Sequence, residues 1–148
     1  MSCKGIFVRP AQVGDLPAMR TLFLRSRLET FVSHPGTRFQ LQDFDLQTQG
    51  EQQWVAEEGA QLVGFISLWA ADNFIHHIYV DQGWTRRGVG RALLRALPGW
   101  PTTRFQLKCL RLNEAALAFY RACHFVETGT GVAADGEYVV LESAGSHA

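Results

Sequence analysis

The chain has 148 residues, of which 47% are hydrophobic and 19% are charged, and its formal net charge is zero. These values predict a single domain over residues 1–148, long enough to bury roughly two-thirds of its unfolded surface. The balanced charge argues against a nucleic-acid partner. No apolar run approaches the ~18 residues that a membrane span requires, so no membrane partner is expected.

Three cysteines are present, Cys3, Cys109 and Cys123. Their odd number and the lack of C-x-x-C spacing argue against a disulfide framework or a zinc site. The amino terminus lacks a signal-peptide pattern, so we expect a reducing, cytoplasmic location. His76 and His77 are adjacent in a predicted strand, where successive side chains point to opposite faces. We therefore expect no metal ion shared between them and no metal site.

The chain is predicted to begin with a strand at Ile6 to Arg9 and a helix from Asp15 to about Phe31. Asp15 is suited to cap this helix, because its side chain can accept a hydrogen bond from a first-turn N–H group. The apolar face of the helix comprises Leu16, Met19, Leu22 and Phe23. A second short helix is expected before Gly50, after a break at residues 34–36.

A run of strands follows. Trp54 to Glu57 and Leu62 to Trp69 are rich in apolar and aromatic residues and flank a turn at residues 58–60, which predicts a hairpin. The next strand is predicted at Phe74 to Val80. Consecutive strands joined by such short turns imply antiparallel pairing.

The segment after this strand is a basic glycine loop that opens a helix. It reads Arg86-Arg87-Gly88-Val89-Gly90-Arg91, and apolar residues continue at helical spacing as far as Leu97. Glycine has no Cβ, so the backbone can come close to a ligand. The first N–H groups of a helix lack intrahelical partners, and the helix dipole stabilises an anion there. The loop therefore predicts a phosphate or pyrophosphate site.

Other interpretations of the loop stay open on these residues alone. A dinucleotide-binding fingerprint would need a third glycine where Leu93 stands, and an acidic residue about twenty positions later. A P-loop would need Gly-Lys-Ser/Thr at its end, which is absent. An ordinary strand-to-helix turn with surface arginines would need neither feature.

The helix is expected to end at Pro98-Gly99, and a strand is predicted at Arg104 to Cys109. A strand-helix-strand crossover of this length favours a parallel pair of strands. This pair would be the exception in an otherwise antiparallel sheet.

The last helix is predicted after Asn113, a good capping residue, with Tyr120 on its apolar face. Phe125 to Thr128 and Glu137 to Leu141 predict a closing hairpin across a glycine-rich loop. Ser143 to Ala148 are expected to form a disordered tail.

These motifs resemble the GNAT superfamily of acetyl-CoA-dependent N-acetyltransferases. The family's pyrophosphate loop, Gln/Arg-x-x-Gly-x-Gly/Ala, follows a strand that ends in an aliphatic residue, an aromatic residue and Val. Ile78-Tyr79-Val80 and Thr85 to Gly90 match this pattern, although Thr85 stands where the family usually has Gln or Arg. A second match is Asn113-x6-Tyr120 followed by His124-Phe125, with His124 at a position usually occupied by Gly.

The resemblance implies an α/β (α+β) fold with a mixed, mostly antiparallel central sheet and helices on both faces. It implies a parallel strand pair that splays apart and holds the pantetheine arm of acetyl-CoA. The residues implied in coenzyme binding are Ile78, Tyr79, Val80, Thr85, Arg86, Arg87, Gly88, Val89, Gly90, Arg91, Asn113, Ala116 and Tyr120.

The resemblance also implies a reaction, in which a primary amine attacks acetyl-CoA directly in a ternary complex without an acyl-enzyme. Tyr120 would protonate the departing sulfur. His76, expected on the strand face of Phe74, Ile78 and Val80, matches a histidine of arylalkylamine N-acetyltransferases and is the first candidate base. An imidazole exchanges protons near neutral pH. Two reserve candidates are Glu57 and Glu137.

The resemblance leaves the acceptor open between a small molecule and a peptide, and the assembly between a monomer and a homodimer. The alternative function is a non-catalytic acyl-CoA-binding or sensing module that keeps the anion loop without a working acid and base. A nucleotide-binding protein is a third interpretation of the same loop.

Overall fold

The computed structural model describes residues 5–30, 43–85, 87–134 and 136–145. The strands are β1 (Ile6–Pro10), β2 (Gln52–Glu58), β3 (Gln61–Trp69), β4 (Phe74–Val80), β5 (Gln106–Leu110), β6 (Phe125–Ala133) and β7 (Gly136–Ser143). The helices are α1 (Leu16–Thr30), α2 (Asp43–Gln47), α3 (Val89–Arg95) and α4 (Glu114–Ala122). Among the described residues, no helix has both the length and the apolar content needed to cross a membrane.

The strands form one sheet in the order β1-β2-β3-β4-β5-β7-β6. Every neighbouring pair is antiparallel except β4 and β5, which run parallel on either side of the α3 crossover. The predicted mixed, mostly antiparallel sheet is therefore confirmed. The crossover reaches the far side of β4, so β4 lies in the middle of the sheet.

The parallel pair diverges almost at once. The ladder between β4 and β5 contains a single paired position, Phe74 opposite Gln106, at the start of both strands. Beyond it, β5 pairs with β7 on its other side through five positions, from Gln106 to Leu110. The carboxyl ends of β4 and β5 are thus left apart, as expected for a splayed pair.

The two faces of the sheet carry separate apolar cores. On one face, β3 and β5 pack against α3 through Val89, Leu93 and Leu94, and against α4 through Leu117 and Tyr120. On the other face, Val55 and Phe65 pack against Met19, Leu22 and Phe23 of α1 and Phe44 of α2. The apolar face that the helical periodicity predicted for α1 is therefore buried against the sheet.

A β-bulge interrupts β4 at its centre. Ser67 of β3 pairs with His77, and Leu68 pairs with Ile75, which leaves His76 as an extra residue. A bulge changes the alternation of side chains along its strand. The imidazole centroids of His76 and His77 consequently lie 4.0 Å apart. The expectation that these two histidines point to opposite faces is wrong, and so is the reason given for excluding a shared metal ion.

The bulge also changes the face that His76 occupies. Ile78 and Val80 pack against the core beneath α3 and α4. The ring of His77 lies 5.0 Å from that of Phe23, on the α1 face of the sheet, and His76 lies beside it. The prediction that His76 shares a face with Phe74, Ile78 and Val80 is therefore wrong for Ile78 and Val80, whereas the ring of Phe74 does lie near that of His76, at 6.1 Å.

Two helix ends differ from a simple reading of the sequence. Asp15 lies in a 3-10 turn before α1, where its carboxylate binds the guanidinium of Arg9 at 2.8 Å and the N–H of Gln12 at 2.7 Å. It does not cap α1 itself. After α4, His124 takes the left-handed conformation, with φ of 71°, which glycine adopts more readily than other residues. The phase of both helices is still as predicted.

The closing hairpin is longer than predicted. Strand β6 continues through Gly129 and Gly131 to Ala133, so most of the expected glycine-rich loop is strand. A Cβ on Gly131 would lie 2.3 Å from the Tyr138 hydroxyl, so glycine here makes room for that ring. Ser143, where the disordered tail was predicted to begin, is a buried residue of β7. Residues 146–148 lie outside the described residues.

Replacement of Gly64 by alanine is expected to destabilise the fold by about 1–3 kcal/mol, the usual cost of overpacking a core. A Cβ there would lie 2.9 Å from the carbonyl oxygen of Tyr79 and 3.1 Å from a methyl group of Val89. The backbone oxygen cannot move without disturbing the β3–β4 ladder. Urea denaturation measures the change, and Gly14→Ala is the control, because no atom lies within 4 Å of a Cβ at Gly14.

Candidate active site

A cavity of about 1140 Å³ lies between the diverging strands β4 and β5. The amino-terminal turn of α3 closes one end, and α4 forms one wall. The charged or titratable side chains in its lining, apart from tyrosine and cysteine, are all basic: His76, His77, Arg91, Arg95 and Lys108. A cavity of this shape and charge suits an extended, anionic ligand.

The wall formed by β4 consists of backbone that has lost its neighbour. Ile78, Tyr79 and Val80 line the cavity on the side where β5 has diverged. Their strand is paired with β3 on its other side, opposite Gly64 to Ile66. Backbone N–H and C=O groups on the open edge therefore face the cavity, where they are available to an extended chain with amide groups.

The loop between β4 and α3 places main-chain N–H groups at the end of the cavity. Gly88 caps α3 with a left-handed backbone (φ of 82°), which favours glycine. Gly90 is required for a different reason, because a Cβ there would lie 2.6 Å from the ring of Phe119. Gly90 thus lets α3 approach α4 closely. Gly88, Val89 and Gly90 all line the cavity.

The basic residues of the loop are placed unequally. Arg91 lines the cavity, as does Arg95 one turn later in α3. Arg87 does not line it; its guanidinium carbon lies 4.9 Å from the centre of the Trp84 ring. Thr85 lines the cavity and donates a hydrogen bond to the carbonyl of Gln82 at 3.2 Å. Arg86, the remaining predicted loop residue, lies outside the described residues.

Helix α4 supplies the opposite wall. Asn113 caps the helix, and its side-chain oxygen accepts a hydrogen bond from the N–H of Ala116 at 3.3 Å. Asn113, Ala116, Phe119 and Tyr120 all line the cavity. Of the predicted site residues that the structure describes in the strand, the loop and this helix, all but Arg87 therefore meet around one cavity.

Tyr120 contributes a phenol group to the α4 wall of the cavity. Its side chain is buried, and no hydrogen bond to its hydroxyl is found among the described residues. Burial raises the pKa of Tyr120 well above its usual range, and neighbouring Cys109 and Tyr79 raise it further. The phenol is therefore protonated at neutral pH and can serve as a donor.

His76 has a partner that the sequence did not reveal. Its Nδ1 contacts a carboxylate oxygen of Glu51, whose side chain is only 4% exposed. The other oxygen of Glu51 accepts a hydrogen bond from the hydroxyl of Ser67, which in turn accepts one from Gln53 at 3.3 Å. Glu51 directly precedes β2. Nothing in the sequence around it distinguishes it from an ordinary surface glutamate.

The two reserve bases are placed elsewhere. Glu57 accepts a hydrogen bond from the guanidinium of Arg9 at 3.1 Å, and Glu137 is an exposed residue of β7. Neither is among the residues that line the cavity. His76 is the exposed residue of the bulge and does line it.

His77 is buried at the floor of the cavity, between the rings of Phe23 and Tyr79. Its ring forms a hydrogen bond with the backbone of Gln47, and its Nε2 has no partner among the described residues. Burial, followed by the nearby His76 and Arg27, lowers the pKa of His77 to about 3. His77 is therefore a neutral imidazole at physiological pH.

Comparison with known proteins gives consistent results. The model of the Acetyltransferase (GNAT) family matches residues 16–125. The peptidyl-lysine N-acetyltransferase YiaC of Escherichia coli K12 is 31% identical over 124 residues, which is 80% of this chain and 82% of YiaC.

Two solved structures share the fold at low sequence identity. The PaiA N-acetyltransferase of Thermoplasma acidophilum, solved with coenzyme A, has a TM-score of 0.74 at 17% identity and covers 93% of this chain and 98% of its own. The ribosomal-protein-S18-alanine N-acetyltransferase of Escherichia coli has a TM-score of 0.69 at 19% identity and covers 97% and 96%.

Proposed function

The chain belongs to the GNAT family of acetyltransferases, and we propose that it transfers the acetyl group of acetyl-CoA to a primary amine by direct attack in a ternary complex. The observation that supports this most strongly is that the anion loop, the open edge of β4, His76 and Tyr120 all border one cavity. The proposed reaction needs no residues from outside this cavity.

The residues of the cavity fit acetyl-CoA. The N–H groups at the start of α3, with Arg91 beside them, would hold the diphosphate. The open edge of β4 at Ile78 and Val80 would accept the pantetheine amides as an added strand. Asn113 and Ala116 would contact the arm from α4. Bound acetyl-CoA supplies an acetyl group already activated as a thioester.

The protein must bring the amine to the thioester as a free base. Well-oriented reactants gain effective molarities of about 10⁵ to 10⁸ M, so positioning can supply much of the acceleration. Positioning alone does not remove a proton: making a lysine-like amine with a pKa near 10.4 neutral at pH 7 costs about 5 kcal/mol. We assign this proton to His76, directly or through water, since an imidazole exchanges protons near neutral pH.

Tyr120 would act at the other end of the reaction. The departing thiolate needs a proton, and Tyr120 keeps its own because burial raises its pKa. Transfer becomes favourable only as negative charge develops on the sulfur in the buried cavity. A protonated phenol that has no hydrogen-bond partner among the described residues fits this role.

The acceptor that we propose first is the side chain of a peptidyl lysine, because the relative of that specificity matches over most of both chains. The test is release of free coenzyme A across a panel of a lysine peptide, an amino-terminal alanine peptide and small amines. We expect turnover with the lysine peptide. Tight acetyl-CoA binding without turnover for any amine would favour the non-catalytic sensor.

The cysteines are not expected to carry the acetyl group. Burial raises the pKa of Cys109 to about 11 and also raises that of Cys123, so both are protonated thiols and poor nucleophiles at neutral pH. Cys109→Ala and Cys123→Ala are each expected to change kcat by less than about threefold. Intact mass spectrometry after incubation with acetyl-CoA checks the same point: a retained acetyl group on either residue would contradict direct transfer.

The two free thiols also support the proposal of a reducing, cytoplasmic location.

A further inference from the structure

Glu51, His76 and His77 bring one carboxylate and two imidazoles together beside the cavity, whose lining includes both histidines. One ligand atom from each lies within 4.8 Å of the other two. An ion at the centre of a triangle of that size would be at most about 2.8 Å from each atom, within roughly 0.7 Å of ordinary zinc–nitrogen and zinc–oxygen lengths. Small rotations of the three side chains would close the remaining gap.

His77 has one ring nitrogen available for a metal ion. The hydrogen bond with the Gln47 backbone uses the other ring nitrogen, since Nε2 has no partner among the described residues. Histidine ligands characteristically donate their second ring N–H to a backbone carbonyl or carboxylate, which fixes the tautomer. A buried imidazole nitrogen without a partner is costly, and a metal ion would satisfy it.

Glu51 is supported in the same way. Its side chain is nearly inaccessible to solvent, and the Ser67 hydroxyl holds one of its oxygens. Ser67 is itself fully buried and is held by Gln53. Such outer partners orient a ligating carboxylate. Arg27 is the cation near His77, and its charge is balanced in part by Asp43 at 3.8 Å.

We propose that Glu51, His76 and His77 bind Zn²⁺. Two imidazoles and one carboxylate are a ligand set that zinc uses with an open fourth position, and imidazole nitrogen favours zinc over magnesium or calcium. His76 and His77 both line the cavity, so an ion bound to them would be reached from the cavity at its open fourth position. A water molecule or an incoming amine would complete the tetrahedron.

His76 cannot bind zinc and act as the catalytic base at the same time. His76 cannot accept the amine proton while its nitrogen holds the ion, so zinc would inhibit acetyl transfer. This consequence rests on the proposed function, whereas the binding of zinc does not. The bulge in β4 brings His76 beside His77, so it also creates the metal site.

Binding is tested with tag-free, chelator-treated protein, by calorimetric titration with Zn²⁺ and by the visible absorption of Co²⁺ as a tetrahedral probe. We expect one ion per chain. His76→Ala, Glu51→Gln and His77→Gln should each weaken binding by more than about 100-fold, because loss of an outer partner alone costs about 10- to 100-fold. His124→Asn is the matched control, since His124 is an exposed imidazole on another surface and asparagine tolerates its backbone conformation.

His76 is exposed, so His76→Ala tests the site even where a change at buried His77 disturbs folding. Absence of zinc binding to the wild-type chain, or equal binding by His76→Ala and His124→Asn, would overturn the proposal. Once an acceptor has been identified, zinc is expected to abolish its acetylation and EDTA is expected to restore it. If zinc binds but turnover is unchanged, the claim that zinc blocks His76 as the base is refuted, while the metal site stands. If zinc binds but no amine is acetylated even without zinc, the result counts against the proposed function and not against the metal site.

Discussion

Tyr120→Phe is expected to lower kcat by about 10²- to 10⁴-fold, the usual contribution of a positioned acid. The substitution removes only the hydroxyl, and the ring remains packed against Phe119 and Phe125. The KM for acetyl-CoA should therefore change little, because the lost interaction is made in the transition state. Steady-state kinetics with saturating amine measure both constants.

Tyr138→Phe is the matched control for this experiment. Tyr138 also carries a phenol, but it lies on β7 under the Lys108 ammonium, which is 5.0 Å from its ring, and it does not line the cavity. We expect wild-type kcat for this variant. Equal rates for Tyr120→Phe and the wild type would show that the departing sulfur obtains its proton elsewhere.

The second large effect is expected for His76→Gln, which should lower kcat by about 10²-fold or more at pH 7. The deficit should shrink as the pH rises toward the pKa of the acceptor amine, near 10.4 for a lysine side chain, because a neutral amine no longer needs a base. The binding of acetyl-CoA should be unaffected, since the anion loop lies at the other end of the cavity.

The assay contains EDTA, so that trace metal at Glu51, His76 and His77 does not lower the wild-type rate. His124→Asn again serves as the control and should behave as the wild type. If His76→Gln shows a deficit that is the same at every pH, His76 positions the acceptor instead of taking its proton. An unchanged kcat would remove His76 from the mechanism.

Local patterns predicted most of the architecture. Runs of apolar and aromatic residues separated by turns identified β2, β3 and β4, and the last of these has the predicted bounds, Phe74 to Val80. The glycine loop followed by apolar residues at helical spacing identified α3, and the length of the crossover predicted the parallel pair. These features depend on residues close together in sequence, so periodicity and turn chemistry suffice to predict them.

The arrangement around His76 could not be predicted in this way. A single extra residue in β4 reverses the side-chain alternation, and nothing in the local sequence distinguishes this bulge from a regular strand. Glu51 reaches His76 across β3, by way of a pairing register that only the assembled sheet sets. The length of β6 depended likewise on Tyr138 of the neighbouring strand, whose ring covers Gly131.

Calorimetric titration of the chain with acetyl-CoA tests the central claim most directly, namely that the cavity between β4 and β5 holds this thioester with its diphosphate at the start of α3. We predict saturable heat with one site per chain, and weaker binding of ATP and NAD under the same conditions. No heat with acetyl-CoA, or tighter binding of either nucleotide, would contradict the account.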